Sequence, residues 1–287
     1  DFYHAQRSGP LSPDPYARPW RGPSLPADPF PAHFDAGDHL LLMFPYGQTL
    51  SLLGWAYLPE NFRAGFEASP GAAKSLRTTL RIGASAVMAA HSGGPRRYIV
   101  QVGEEHTDHD YWGRPEDMSG DRRGLPRPVL EIDADKGVYG SDAAGQGVAA
   151  LAAAALAWRE ADPAFAAAAT ATARSLYGLA TTYEGRFSDR LPIGNMYPSS
   201  SYLDDLLWAA AWMARLTGEA WFLERASLYW DRLVREEPRS VLSREQSWSC
   251  STPAAAALLA GLSRDPKYAS FAYLFVETHV QGAAPVA

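Results

Sequence analysis

Two aspartates, Asp35 and Asp38, stand three residues apart in the segment HFDAGDHLLLMFPYG, and an apolar run follows them. Carboxylates at this spacing can face one site and raise each other's proton affinity by like-charge repulsion, and Gly37 between them permits a tight turn. Such a pair can hold a water molecule and remove its proton. A helix N-cap beside a turn aspartate would give the same pattern, so the spacing alone leaves both interpretations open.

A second group of polar and aromatic residues fills the segment YIVQVGEEHTDHDYWGRPEDM, residues 98–118. A solvated loop seldom needs a tryptophan and two histidines. We interpret His109 and Arg114 as hydrogen-bonding partners for ligand hydroxyls and Trp112 as a stacking surface. A metal site is the weaker alternative, because His106 and His109 are expected to have no fixed helical register.

The third group lies in NMYPSSSYLDDLLWAAAWMARLTG, residues 195–218. A hydroxyl-rich turn leads there into an amphipathic helix whose first turn carries Asp204 and Asp205, a position that suits the helix dipole. Trp208 and Trp212 follow four residues apart, which is more typical of a core than of a ligand platform.

Composition limits what these groups can do. The chain has 287 residues, 47% of them hydrophobic and 20% charged, with a net charge of -6, as expected of a globular protein of one or two domains. An acidic chain offers no net positive field to nucleic acid, and its longest apolar stretch is too short to span a membrane. The high aromatic content, 12%, suits flat apolar ligand faces such as those of sugars. The single cysteine, Cys250, is expected to be a small core residue.

Helical periodicity dominates the rest of the chain. Apolar residues at three- and four-residue spacing predict helices over residues 49–58, 73–91, 142–160, 163–183, 202–216, 220–234 and 253–261. Asp142 and Asp162 are predicted N-caps, and Gly218 and Gly261 predicted exits. A proline-rich loop is expected over 10–31, and the segment RRYIVQVG is β-like. Without a βαβ pattern, these elements predict an all-α array whose loops carry the chemistry.

Several stretches, in order along the chain, resemble consecutive blocks of the glycoside hydrolase family 9 cellulases. They are FYHAQRSGPL, WRG, FDAGDHLLLMFP, YIVQVGEEHTDHDYWGRPEDM, YGSDAAGQGVAALAAAALAWRE and YLDDLLWAAAWMARLTG. The resemblance implies a single catalytic domain over 1–287, folded as an (α/α)6 barrel that is incomplete at its C-terminal end. It further implies hydrolysis of internal β-1,4 bonds of cellulose with inversion, an extracellular location and no required cofactor.

The resemblance also implies roles for individual residues. Asp38 matches the base that deprotonates the attacking water, and Asp35 the residue that helps to hold that water. Substrate binding falls to His109, Trp112, Arg114, Tyr197 and Tyr202, with cellulose or β-1,4-glucan oligosaccharides as the ligand. An inverting enzyme needs its base and acid about 6.5–9.5 Å apart, so that a water fits between base and sugar.

Two departures from the family pattern stand out. The family's acid is a glutamate near its C-terminus, preceded by a Pro-His-His-Arg loop, and this sequence ends before either motif. The chain is therefore expected to be a truncated enzyme, a catalytically impaired fragment or a non-catalytic glucan-binding protein. Family members that bind calcium also carry an aspartate after a later tryptophan, where this chain has Ser249. A structural calcium remains possible at Ser200, Ser201, Asp204 and Asp205.

Overall fold

The computed structural model describes residues 2–11, 20–58, 65, 68–118, 127–190, 196–238 and 245–280. Within them the α-helices are α1 (Phe2–Ala5), α2 (Met43–Tyr57), α3 (Pro70–Ala90), α4 (Ser141–Trp158), α5 (Pro163–Thr182), α6 (Leu203–Thr217), α7 (Ala220–Glu236), α8 (Thr252–Leu262) and α9 (Pro266–Phe275). Strands β1 (Leu41–Leu42), β2 (Arg97–Val102) and β3 (Val129–Asp133) form an antiparallel sheet in that order.

The long helices form two layers. Helices α2, α4, α6 and α8 pack side by side as an inner layer. From outside, α5, α7 and α9 pack mainly on α4, α6 and α8, and α3 packs on both α2 and α4. Residues from Ser141 to Ala155 of α4 are all buried, because this helix is enclosed by neighbours on every side. Helix α7 instead buries one stripe, as an outer helix should. No helix of the described ranges is long and apolar enough to cross a bilayer.

Glycines let α2 approach α4 closely. A Cβ on Gly47 would lie 2.6 Å from the backbone carbonyl carbon of Gln146, and one on Gly54 would lie 2.5 Å from the Cβ of Ala153. Real Cβ atoms do not tolerate such distances, so only glycine permits this spacing. The contact fixes α2, which begins directly after the Asp35–Asp38 segment and β1, against the centre of the inner layer.

The seven helices predicted from periodicity are all present, with shifted ends. Asp162 accepts a hydrogen bond from Phe165 N and caps α5 as predicted, and Gly218 ends α6 with φ 72°. Two predictions about helix ends are wrong. Helix α4 begins at Ser141, so Asp142 lies in its first turn rather than at the cap, and Gly261 lies inside α8, which ends at Leu262.

The irregular segments were predicted less completely. The β-like segment is β2, but its short partners β1 and β3 were not predicted. Of the proline-rich loop over 10–31, residues 12–19 lie outside the described residues. The part that follows is tied down by isolated bridges from Arg7 to His33 and from Gly9 to Ser24.

Three buried carboxyls lie in the first turns of inner helices: Asp142 in α4, and Asp204 and Asp205 in α6. Burial raises the pKa of Asp142 to about 6, although the Phe187 and Ala143 amides, which donate to its oxygens, oppose this shift. The native state therefore holds the Asp142 proton more tightly than the unfolded chain, and this contribution to stability is lost as pH rises from about 4 through 6.

Replacing Asp142 with Asn is expected to weaken the fall in stability between pH 4 and pH 8. The neutral amide mimics the protonated carboxyl and keeps an oxygen for the Ala143 and Phe187 amides, which both donate to Oδ1. A shift of about two pKa units corresponds to about 3 kcal/mol, so the variant should gain on the wild type by that order at pH 8. Urea unfolding at both pH values measures this, and an equal pH dependence in the two proteins would contradict it.

Candidate active site

Asp38 lies on a short loop that closes on itself just before β1. The Asp35 amide donates to the Leu40 carbonyl over 3.0 Å, and Asp38 Oδ1 accepts from the Leu40 amide over 3.2 Å. Only 7% of Asp38 is exposed, so its carboxylate is held in one orientation. Gly37, predicted to permit a tight turn, has no left-handed φ and open space where a Cβ would stand. The structure therefore does not require glycine there.

His109 faces Asp38 from a second loop. It ends a π-helical turn, Glu105–His109, which Glu104 starts by accepting hydrogen bonds from the His106 and Thr107 amides. His109 Nδ1 donates to Asp38 Oδ2 over 2.8 Å, and this bond raises the pKa of His109. The prediction that His106 and His109 lack a helical register is wrong, but the two side chains have different hydrogen-bonding and charged partners. His106 instead lies 3.9 Å from Asp110, on the exposed side.

Asp35 is held by a residue far along the chain. Its Oδ2 accepts from the Tyr197 hydroxyl over 2.6 Å. Burial raises the pKa of Asp35, the Tyr197 hydrogen bond opposes that shift, and the nearby Asp38 adds to it. The predicted repulsion between the two carboxylates thus contributes to the raised pKa of Asp35, although burial contributes more. The structure brings together Asp35, Asp38, His109 and Tyr197.

Trp112 and Arg114 lie further out on the His109 loop. Trp112 is 95% exposed, which is unusual for so large a ring because its apolar surface is in unfavourable contact with water. Arg114 is also exposed, with its Nε 3.6 Å from Glu116 Oε2. The loop is anchored through Glu116, whose Oε1 accepts from Arg21 Nη1 over 2.7 Å and from the Gly22 amide over 2.6 Å. A rigid base with an exposed indole suits a ligand that stacks on the ring.

Two glutamates of this loop, Glu104 and Glu116, do not supply a second catalytic carboxyl. Burial raises the pKa of Glu116, but the Gly22 amide and Arg21 outweigh that and hold it below its ordinary value. The Thr107 hydroxyl and amide likewise lower the pKa of Glu104. A general acid needs a raised pKa, and it must approach from the face of the sugar opposite the base. Both residues therefore serve the loop's structure.

One aromatic residue near Asp35 was not predicted to contribute. The Tyr197 ring packs edge-on against Trp248, with ring centroids 5.0 Å apart, and the half-buried Trp248 also meets Phe44. A lone tryptophan in a loop gave no periodic signal. Tyr202, by contrast, does not join the aspartate pair. Its hydroxyl lies 3.4 Å from Glu184 Oε2, and Glu184 pairs with Arg232 of α7.

The possible calcium ligands surround the start of α6. Asp204 Oδ1 and Asp205 Oδ2 are buried, with no hydrogen-bond partner in the described part of the chain. Ser249 Oγ lies 2.9 Å from Ser200 Oγ and accepts from the Ser200 amide. The described residues contain no metal-binding group of three or more His, Cys, Asp or Glu side chains, so a cation would also have to use serine oxygens. Calcium accepts such ligands, and the two unpartnered carboxylate oxygens fit a hard cation.

Comparison with known proteins finds similarity along the sequence of the whole described chain. A family model described as "Glycosyl hydrolase family 9" matches residues 1–283. The chain is 34% identical to Endoglucanase 13 of Arabidopsis thaliana over 282 residues, which are 94% of this chain and 52% of that protein. The chain thus spans about half the length of this curated relative.

Solved structures agree with the two-layered helical fold. An endoglucanase from the termite Nasutitermes takasagoensis superposes with a TM-score of 0.85 at 31% identity, covering 98% of this chain and 63% of that one. Endoglucanase CelQ of Clostridium thermocellum, complexed with cellotetraose, gives 0.79 at 25% identity, covering 96% and 43%. The predicted all-α fold of the (α/α)6 barrel class is confirmed, with the described helices forming part of the barrel.

Proposed function

The chain belongs to glycosyl hydrolase family 9, and we propose that it carries the water-activating half of an endo-β-1,4-glucanase active site. The observation that supports this most directly is the pairing of Asp38 Oδ2 with His109 Nδ1 at 2.8 Å, beside an Asp35 held by Tyr197. Two carboxylates from one short loop are thus fixed by partners from two other segments. Such an arrangement is pre-organised before substrate arrives.

The proposed mechanism is direct displacement with inversion. Asp38 is the base that removes a proton from the attacking water. Tyr197 occupies Asp35 Oδ2, which leaves Oδ1 as the oxygen that would hold the water in line. Water then attacks the anomeric carbon while an acid on the opposite face protonates the leaving oxygen. No residue of this chain is assigned that acid role.

The proposed ligand is a β-1,4-glucan, cellulose or its oligosaccharides. Trp112 would stack on a glucose ring, with His109 and Arg114 donating to hydroxyls around it. Tyr197 and Tyr202 complete the proposed substrate-binding set, with Tyr202 at a distance from the aspartates. Cellulose lies outside cells, and we therefore place the protein's action there.

Glucan hydrolysis by the purified chain tests this function. Reducing-sugar release from carboxymethylcellulose, with the product anomer followed by NMR, should show the α-anomer formed first, as inversion of a β-bond requires. Isothermal titration with cellotetraose measures binding separately. Initial formation of the β-anomer would overturn the mechanism, and absence of both binding and turnover in a folded chain would overturn the function.

A non-catalytic glucan-binding protein is the second candidate. It is favoured by the engagement of Glu104 and Glu116 in structural hydrogen bonds, which leaves neither of these two carboxyls to act as the acid. Cellotetraose binding without turnover by the folded chain would support it. In that case the aromatic surface would still bind glucan, although the chain does not hydrolyse it.

Replacing Trp112 with Ala is expected to weaken cellotetraose binding about tenfold without changing stability. A stacking contact of about 1.4 kcal/mol corresponds to that factor. The ring is 95% exposed and packs on little, so its removal should leave the melting temperature unchanged. Trp221 of α7, 46% exposed and outside the aspartate site, provides the control, since Trp221→Ala should leave affinity unchanged. Equal affinities for wild type and Trp112→Ala would contradict the stacking role.

We also propose a structural calcium held by Ser200, Ser201, Asp204 and Asp205. Burial raises the pKa of Asp204 to about 7 and that of Asp205 well above its ordinary value. A bound cation would offset this cost by favouring both charged carboxylates. When bound, it would fix the serine turn before α6 to the first turn of that helix.

Removal of calcium by a chelator should lower the melting temperature by about 5 °C, and by more at pH 8 than at pH 5. The carboxylates bind the cation only when deprotonated, which sets the direction of the pH effect. Differential scanning fluorimetry with and without EGTA measures the shift. Ser249→Asp, which adds a carboxylate beside Ser200, should enlarge it. An unchanged melting temperature at both pH values would contradict the calcium proposal.

A further inference from the structure

A buried arginine lies between the two loops that carry Asp38 and His109. The Arg127 side chain is 3% exposed, and its Nη1 lies 2.8 Å from Asp28 Oδ2. Its Nε lies 3.3 Å from Asp108 Oδ1, and its Nη2 donates to the carbonyls of His39 and Val102. One guanidinium thus joins four chain segments beneath the aspartate loop.

Two of these contacts involve the immediate neighbours of the proposed catalytic pair. His39 follows Asp38 in sequence, and its carbonyl accepts from Arg127. Asp108 precedes His109, and its fully buried carboxylate pairs with Arg127 on one oxygen and accepts from the Glu104 amide on the other. The His39 amide also donates to the Asp108 carbonyl over 3.4 Å. Neither loop can shift relative to the other without breaking a contact to this guanidinium.

Gly103 leaves open the space that the Arg127 guanidinium occupies. Gly103 has φ +107°, and a Cβ there would lie 2.5 Å from Arg127 Nη2 and 3.0 Å from Asp108 Oδ2. The glycine therefore permits both the backbone conformation and the approach of the guanidinium. Lysine offers one compact charge, which cannot serve carboxylates and carbonyls on four sides at once.

We propose that Arg127 is a positioning residue that sets the distance between Asp38 and His109, an inference that rests on the proposed function for its catalytic meaning. Its guanidinium donates to the His39 carbonyl on the loop that carries Asp38, and it pairs with the Asp108 carboxylate on the loop that carries His109. The 2.8 Å bond between Asp38 Oδ2 and His109 Nδ1 follows from that alignment. A displacement of about 1 Å in such a pair is enough to cost on the order of 10²-fold in rate.

The test compares Arg127→Lys with Arg21→Lys in the full chain. Arg21 is the matched control, because its buried guanidinium likewise donates to main-chain carbonyls, those of Ala5, Arg7 and Gly22, and pairs with a carboxylate. It does not contact the loop of Asp38, and it reaches the loop of His109 only at Glu116, seven residues after the histidine. Both variants should lose stability on thermal unfolding, so stability alone does not separate positioning from packing.

The deciding measurement is the pKa of His109, followed by NMR and assigned through the signal missing from His109→Gln. The hydrogen bond that His109 donates to Asp38 raises this pKa, with smaller contributions from Asp110 and Glu105, which neither variant changes. Arg127→Lys should move the His109 pKa down towards its ordinary 6.5, and Arg21→Lys should leave it unchanged. If Arg127→Lys does not fold, Asp108→Asn provides the same comparison, since it weakens the same bridge.

An unchanged His109 pKa in folded Arg127→Lys and Asp108→Asn would overturn the inference, because the pair would then hold its geometry without the bridge. Equal shifts in the Arg21 and Arg127 variants would overturn it as well, since the effect would be a general loosening. This readout needs no turnover, so it separates failure of the positioning role from failure of the proposed function. Where the wild type hydrolyses glucan, the kcat of Arg127→Lys should fall on the order of 10²-fold, with KM little changed.

Discussion

Replacing Asp38 with Asn should lower the rate of glucan hydrolysis on the order of 10²–10⁴-fold, the usual contribution of a general base. The amide cannot accept the proton of the attacking water. Its oxygen can still accept from the Leu40 amide, as Asp38 Oδ1 does over 3.2 Å, and its NH2 group can donate to His109 Nδ1 in the other tautomer. The loop should therefore keep its conformation while the chemistry is lost.

Reducing-sugar release measured beside circular dichroism checks this expectation. Asp35→Asn is the comparison variant, and its smaller loss should reflect its role of holding the water. Azide gives a second check in the Asp38→Ala variant. This anion attacks without a base to remove a proton, and it is small enough to enter the space that the aspartate side chain leaves. It should restore turnover of that variant and give an α-glycosyl azide. An Asp38→Asn variant as fast as the wild type would contradict the base assignment.

The helical part of the fold was predictable because its signal is local. Apolar residues recur at helical spacing in each long segment, and α4 is so uniformly apolar that its burial on all sides follows from its composition. The ends of helices were less predictable. Asp142 has the residue type of a cap, but its carboxyl turns inward to the Phe187 amide, a partner 45 residues away that periodicity cannot indicate.

The candidate site was likewise predictable only in part from the sequence. The spacing of Asp35 and Asp38 indicated a shared loop, and the resemblance to a family supplied their proposed roles. The bonds that fix them join residues 71 and 162 apart, His109 with Asp38 and Tyr197 with Asp35. Such pairings depend on how loops meet in space. The buried bridge at Arg127 gave no pattern at all, since a single arginine in a polar loop is ordinarily exposed.

The core role predicted for Trp208 and Trp212 is confirmed, because both are fully buried in the inner layer. Trp208 is the more connected of the two for α2. Its Nε1 donates to Ser51 Oγ over 3.0 Å, and its ring meets those of Trp55 and Trp212 at centroid distances of 5.7 and 5.5 Å. This side chain therefore joins α6 to the helix that begins just after Asp38.

Replacing Trp208 with Ala is accordingly expected to cost about 3–5 kcal/mol of unfolding free energy. That is a large share of the roughly 5–15 kcal/mol that stabilises a typical domain, so the variant should be partly unfolded at room temperature in mild denaturant. The loss combines the buried area of an indole, a cavity beside the two remaining indoles, and a Ser51 hydroxyl left without its donor. Urea unfolding followed by circular dichroism measures it.

Two variants separate these contributions. Trp208→Phe keeps most of the ring packing but removes the donor to Ser51, so its cost should be intermediate, whereas Trp221→Ala, at a site 46% exposed, should cost less than about 1 kcal/mol. If Trp208→Ala were no more destabilised than Trp221→Ala, the inner layer would not depend on this contact.

Because Ser51 belongs to α2, the loss at Trp208 should also loosen the start of that helix. A lowered His109 pKa in the folded fraction of Trp208→Ala would show that packing in the inner layer reaches the catalytic pair.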